Sequence, residues 1–165
     1  MSPKFIFIPS SVAPAQFLLD IYPNAEAAYS IRKLRTGVDT LLRIRRSSDD
    51  AETDVDVDAG GLTISLTSPV SAGGNLGTWI GSDDGFVTTR YDQTGNGNNQ
   101  VQSVVTDQPK IITAGVIETL NSQPAILGDG VSDFLATPAY MIPETGDILV
   151  SVHGVYKANV AGTSV

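Results

Sequence analysis

The sequence predicts a mostly-β domain with one short helix near its start. Two observations carry that reading. Short runs of alternating apolar and polar residues recur between clusters of Gly, Asn and Asp, and only Asn24 to Arg35 shows helical spacing. At 165 residues and 41% hydrophobic content, the chain can bury a core of its own.

Residues 1–19 are apolar and broken by Pro3, Pro9 and Pro14, with Phe5 to Ile8 able to form a strand. This segment reads either as an attachment arm or as the first strand, ahead of a domain over 20–165. In the predicted helix Asn24 caps the start, Ala27, Ala28, Ile31 and Leu34 share a face, and Gly37 provides the stop. Basic residues Arg32, Lys33 and Arg35 sit in its last turn, where the helix dipole favours them. Thr40–Arg46 and Thr53–Asp58 then alternate as half-buried strands, Arg43 and Arg45 facing outward to pair with the acids of the next strand. Further strands are predicted at Gly85–Tyr91, Pro109–Ile112, Ala125–Leu127, Phe134–Ala136 and Asp147–Lys157. The last reads as a central strand, and only Ala158 to Val165 follow it. The sandwich is therefore expected to be incomplete, closed by further polypeptide or by other subunits.

A net charge of −8 argues against binding nucleic acid through phosphate neutralisation. The charges are segregated: six of ten basic residues lie between Arg32 and Arg46, and six of eighteen acidic ones between Asp49 and Asp58. Such a neighbouring pair of stretches neutralises itself within one fold. With no cysteine there is no disulfide, thiol nucleophile or thiolate metal site. No signal peptide or membrane span is read from the sequence.

The most specific words are Tyr29-Ser30-Ile31-Arg32-Lys33-Leu34-Arg35, Leu42-Arg43-Ile44-Arg45-Arg46-Ser47-Ser48-Asp49-Asp50 and Tyr91-Asp92-Gln93-Thr94-Gly95-Asn96-Gly97-Asn98-Asn99. In that order they resemble the start of the catalytic domain of fungal arabinofuranosidase B, a concanavalin-like jelly-roll β-sandwich. They are similar also to modules in bacteriophage virion and bacterial surface proteins. The run from Gln123 to Leu135 resembles the entry to laminin-G-like sandwiches. The resemblance covers roughly residues 20–157. It implies a retaining glycosidase scheme, but the family's two carboxylates lie in later segments, and no catalytic residue carries over to this chain.

Candidate sites each have a plainer reading beside them. Asp92, Thr94 and Asn96 place oxygens at alternate positions, as half a Ca2+ loop does, with Gly97 where an EF-hand has its glycine; the closing acid is absent, since the twelfth position is Ser103. A self-bonded Asx and Gly turn explains the same residues. Trp79 and Tyr91 offer aromatic faces to sugar rings, or else belong to the core. Asp54, Asp56 and Asp58 would share one strand face about 7 Å apart, too far for a retaining pair. His153, the only histidine, has no triad or metal partner type within reach of a motif. Asp129-Gly130 with Asp133 reads as a turn.

From this follows the expectation of a non-enzymatic structural or adhesive bacteriophage virion protein, in a tail, fibre or capsid-surface position. It would be assembled in the bacterial cytoplasm, oligomeric among other virion subunits, and turned towards host glycans, with neither nucleic acid nor membrane as partner. The alternatives are an N-terminal fragment of an arabinofuranosidase-like glycoside hydrolase, or a free carbohydrate-binding module.

Overall fold

A computed structural model describes residues 16–137 of the chain. The strands expected at Phe5–Ile8 and Asp147–Lys157, and His153 with them, lie outside the described residues. Within them the elements are α1 (Leu18–Ile21), β1 (Thr40–Arg46), β2 (Glu52–Asp56), α2 (Leu76–Ile80), β3 (Gly85–Arg90), β4 (Gln100–Val101), β5 (Lys110–Thr113), β6 (Val116–Ile117), β7 (Thr119–Leu120) and β8 (Gln123–Pro124). Six strands form one sheet in the order β2-β1-β3-β5-β6, with β4 also paired to β3, and β7 with β8 makes a separate pair. All the named pairings are antiparallel. The domain is mostly β, and its curled sheet is part of a sandwich, as the sequence predicts.

The curl has an identifiable cause. Three residues are inserted without an opposite number in their ladders: Leu41 against β2, Thr88 against β1 and Ile111 against β3. Each such bulge bends its strand and increases the local twist. Each also breaks the period of two, which is why Leu41-Leu42, Val87-Thr88 and Ile111-Ile112 are buried as doublets. The core collects Leu41, Leu42, Ile44, Val55, Val87 and Ile112 from the sheet, and Ile64, Val70, Leu76 and Ile80 cover it.

Strand existence was legible, and strand ends less so. β1 has the expected bounds, and β3 and β5 fall within a residue of theirs. The strand expected at Ala125–Leu127 is not formed: β8 ends before it at Pro124 and only Leu127 is bridged, to Lys110, while Phe134–Ala136 contributes only the bridge of Ala136 to Val101. α2 is not among the predicted elements. Its signals are present: Asn75 accepts from the Thr78 N–H at 2.9 Å, Leu76 and Ile80 share a face, and Gly81 ends it.

One expectation is overturned. Asn24 to Arg35 forms no helix; the segment is irregular and partly extended, with Arg32 bridged to Thr63. Its main chain is bonded to distant partners. Lys33 N donates to Leu62 O at 2.8 Å, and Ile31 O accepts the Thr63 hydroxyl at 2.7 Å. A helix of this length is marginal in water, so long-range bonds that satisfy the same groups decide its shape. The short helix that does form, α1, lies just before it and is tied to it by Leu19 N to Leu34 O at 2.8 Å and by Asp20 accepting from the Thr36 hydroxyl at 2.6 Å.

The turn from β5 to β6 passes Ala114 and Gly115, both at positive φ (47° and 77°). A Cβ on Gly115 would stand 2.3 Å from the Gly81 carbonyl oxygen. Gly115→Ala is therefore expected to destabilise the fold by about 2–3 kcal/mol, read by urea unfolding, because main chain blocks the methyl and φ is strained. A loss no larger than that of an ordinary surface substitution would show that the turn simply moves aside.

Candidate functional site

The Tyr91–Asn99 loop follows β3 and turns its polar side chains inward. Asp92 is 8% exposed and Gln93 is fully buried. Asp92 Oδ1 accepts from the N–H groups of Ala28 and Thr94, each at 3.0 Å, and Oδ2 accepts from the Asn98 N–H at 3.2 Å. The Thr94 hydroxyl donates to the same carboxylate at 2.7–2.8 Å. Asn96 Nδ2 donates to Glu26 O at 2.9 Å and to Ala25 O at 3.3 Å. The Asp92 and Thr94 oxygens proposed for Ca2+ are thus engaged with protein partners, while Asn96 ties the loop to the segment through its side-chain nitrogen. No group of three or more His, Cys, Asp or Glu side chains suited to a metal occurs among the described residues.

Gln93 is the centre of this arrangement, and sequence reasoning saw it only as part of a signature. Its Nε2 donates to Ser30 O at 3.0 Å and Arg32 O at 2.9 Å, while Oε1 accepts from Leu34 N at 2.7 Å. Its own N–H donates to Ala28 O at 2.9 Å. One side-chain amide therefore stands in for a neighbouring strand. Asn98 Nδ2 extends the same row to Glu26 O at 3.0 Å.

The other cluster lies on the sheet face opposite the core. Arg43 grips Asp54 with Nε at 2.7 Å and Nη2 at 3.1 Å, and the Tyr91 hydroxyl donates to the same carboxylate at 2.6 Å. The Arg43 bonds, helped by Tyr91, hold the Asp54 carboxyl below its ordinary range against the opposing effect of burial. Burial, then the hydrogen bond to Asp54 and its charge, pushes the Tyr91 hydroxyl up to about 12. Near neutral pH this pair is a fixed negative charge beside a fixed donor. One strand position along, Arg45 has only 7% of its side chain exposed; Nε donates to Gln108 Oε1 and Nη1 to Asp50 Oδ1, both at 2.7 Å. Its guanidinium also lies 4.7 Å from the Phe86 ring centre, with the Lys110 ammonium at 5.3 Å from the same centre. The predicted pairing of Arg43 and Arg45 with neighbouring acids is present; the outward exposure expected of Arg45 is not.

Between these residues lies an open cleft of about 370 Å³, lined by Arg43, Arg45, Asp50, Glu52, Thr89 and Gln102 among others. Arg45 Nη2 has no hydrogen-bond partner among the described residues and is not sealed from solvent. The two aromatic candidates do not line this cleft. Trp79, on α2, packs on the core with the Arg46 guanidinium 4.9 Å from its ring centre, and Tyr91 is committed to Asp54. Asp129 closes the expected turn, its carboxyl lowered to about 2 by the N–H groups of Val131, Asp133 and Ser132.

Comparison with known proteins adds one partial likeness. The chain matches no family profile and no curated protein. Among solved structures, it is similar to a GH54 α-L-arabinofuranosidase soaked with a cyclic sulfate inhibitor, at 32% identity and a TM-score of 0.38 over 47% of this chain and 15% of that one. It is similar also to an arabinofuranosidase complexed with arabinofuranosyl-α-1,2-xylobiose, at 31% identity and a TM-score of 0.41 over 52% of this chain and 18% of that one. The matched part is less than a fifth of either protein. The partial resemblance expected from the sequence is therefore present. The expectation of a non-enzymatic chain is corrected, because both similar structures are enzymes.

Replacing Gln93 by Leu keeps the bulk but strands Leu34 N, Ser30 O and Arg32 O. The expected cost is about 1–3 kcal/mol, since the Ser30 and Leu34 groups are half-buried and the exposed Arg32 can turn to water. Urea unfolding measures it, and a near-neutral substitution would mean water replaces the amide. A second expectation concerns acid. A depressed Asp54 adds stability above its unfolded-state pKa, and that stability is lost as pH falls from the ordinary value of 3.8 through the lower folded value. Arg43→Met should lose stability at neutral pH and converge on the parent protein as acid protonates Asp54. Parallel stability curves would exclude the linkage.

Proposed function

We propose that this chain is part of an arabinofuranosidase-like glycoside hydrolase, and that the polar face of its sheet holds a neutral, arabinose-containing polysaccharide. The observation that carries the reading is the open cleft over Arg43 and Arg45. Its volume of about 370 Å³ falls in the range of small-ligand sites. Its Arg43 and Arg45 donors are set on β1 and fixed by their own partners, so little is lost in ordering them when a ligand arrives. Sugar hydroxyls both donate and accept, and the cleft offers guanidinium donors beside the Asp50 and Glu52 carboxylates. Half-exposed Val101 and Val105 on the wall give an apolar surface for ring carbons.

Charge selects among saccharides. Two guanidinium groups line the cleft against two carboxylates, and Asp54 further offsets Arg43. Nothing there draws a polyanion, and the chain as a whole carries −8. A neutral polymer such as arabinoxylan fits this balance better than polygalacturonate. A place in a bacteriophage particle, among other virion subunits, has the sequence resemblance alone behind it.

The test is retention of the protein in gels containing arabinoxylan or polygalacturonate, with release of nitrophenol from an aryl arabinofuranoside measured alongside. Retention by arabinoxylan only is expected, and Ser103→Trp, which fills the cleft from an exposed position, should weaken it at least several-fold without changing the unfolding curve. Equal retention of the Ser103→Trp protein would remove the cleft from the account. Retention without sugar release is expected, since no catalytic carboxylate of the family carries over to these residues, and retention in neither gel would overturn the assignment.

A further inference from the structure

Asn96 is the one asparagine in the chain followed by glycine, and both residues are exposed on the loop. We propose that Asn96 is a site of spontaneous deamidation, and that its conversion loosens the segment that the loop holds. The inference is independent of any saccharide at the cleft.

The chemistry needs only water. The Gly97 main-chain nitrogen attacks Asn96 Cγ and gives up its proton to solvent; a new N–C bond closes a cyclic imide and Nδ2 leaves as ammonia. Water then opens the imide at either carbonyl, giving aspartate or its β-linked isomer. Gly97 has no side chain to obstruct this closure, and the space where a Cβ would sit is empty within 4 Å. The Gly97 N–H makes no hydrogen bond among the described residues, whereas its neighbours Asn96 N and Asn98 N donate to Thr94 and Asp92. The attacking atom is therefore uncommitted where the adjacent ones are held.

Asn98 and Asn99 lie in the same loop but lack these conditions. Asn98 is buried at 5% exposure and is followed by Asn99, whose side chain obstructs the ring closure that Gly97 leaves open. Asn99 Oδ1 accepts from the Asp92 N–H at 2.9 Å.

The consequence follows from what Nδ2 does. It supplies the bonds to Ala25 O and Glu26 O, and a carboxylate in its place has no donor to offer. The new negative charge faces two carbonyl oxygens, with the Glu26 carboxylate close by on Asn98. The exposed end of the stapled segment is then repelled where it was bonded. Arg32, Lys33 and Arg35, further along, become the natural reporters of its opening.

The experiment incubates the full chain in warm, mildly alkaline buffer and maps the amide-to-acid mass change on the tryptic peptide Tyr91 to Lys110. Conversion is expected first at Asn96, as a mixture of both isomers, and slowed by Gly97→Ala, which adds bulk beside the attacking nitrogen; the unfolding curve of that variant reads separately the strain of a Cβ at the Gly97 φ of 81°. Asn96→Asp, made directly, should be cleaved by trypsin between Arg32 and Arg35 on the order of five-fold faster, the effect of losing about one hydrogen bond. Conversion at Asn98 or Asn99 ahead of Asn96, or an unchanged rate in Gly97→Ala, would overturn the site. Unchanged cleavage of Asn96→Asp would overturn its effect on the segment.

Discussion

The buried amide of Gln93 is the interaction on which the N-terminal part of the domain depends. Residues 25–35 belong to no strand of the sheet, yet they run against the loop that follows β3 and must have their main-chain groups satisfied. A side-chain amide carries the same donor and acceptor as a peptide, with one extra N–H, and Gln93 spends all three on Ser30, Arg32 and Leu34. The bonds close loops of about sixty residues, which is costly in entropy but grows only slowly with loop length. The rest of the nonapeptide serves this one side chain. Asp92 gathers the backbone that presents it, and Gly95 and Gly97 supply the positive φ that lets the loop fold back.

The sheet's second property is a pair of faces of different chemistry, one apolar and packed, the other polar and partly open. Doublets such as Leu41-Leu42 and Ile111-Ile112 keep the core filled where the strands bend. On the opposite face, burial falls on Arg45, whose charge is matched by Asp50, Gln108 and the Phe86 ring. A buried guanidinium with that many partners is a rigid object. It fixes the wall of the cleft in a way that a flexible surface arginine would not.

Much of this was legible in the sequence, and what was not has a physical reason. Alternation identified β1 and β3 because one face of each is wet and the other dry. The pairing of Arg43 with Asp54 follows from the same alternation. Asn24 to Arg35 misled because its apolar spacing suits a helix locally, and the partner that overrules it lies about sixty residues away. No local pattern reports a tertiary hydrogen bond. α2 was missed although Asn75 and Gly81 bracket it, since five residues between glycine-rich stretches give periodicity little to work on. In the loop, the oxygen spacing that resembles a metal site is the spacing that an inward-turned carboxylate needs for its own backbone.

The two ends of the sheet differ in a way that bears on growth by strand addition. The outer side of β2 is already occupied, with Ser71 N donating to Asp54 O at 3.0 Å and Asp56 N to Pro69 O at 3.1 Å. Beyond β6 no further strand of the sheet stands among the described residues, and Val116 there is 65% exposed. Among the described residues, strand addition is therefore open on one side only, beside β6, whereas a sheet open at both ends would be a template for polymerisation.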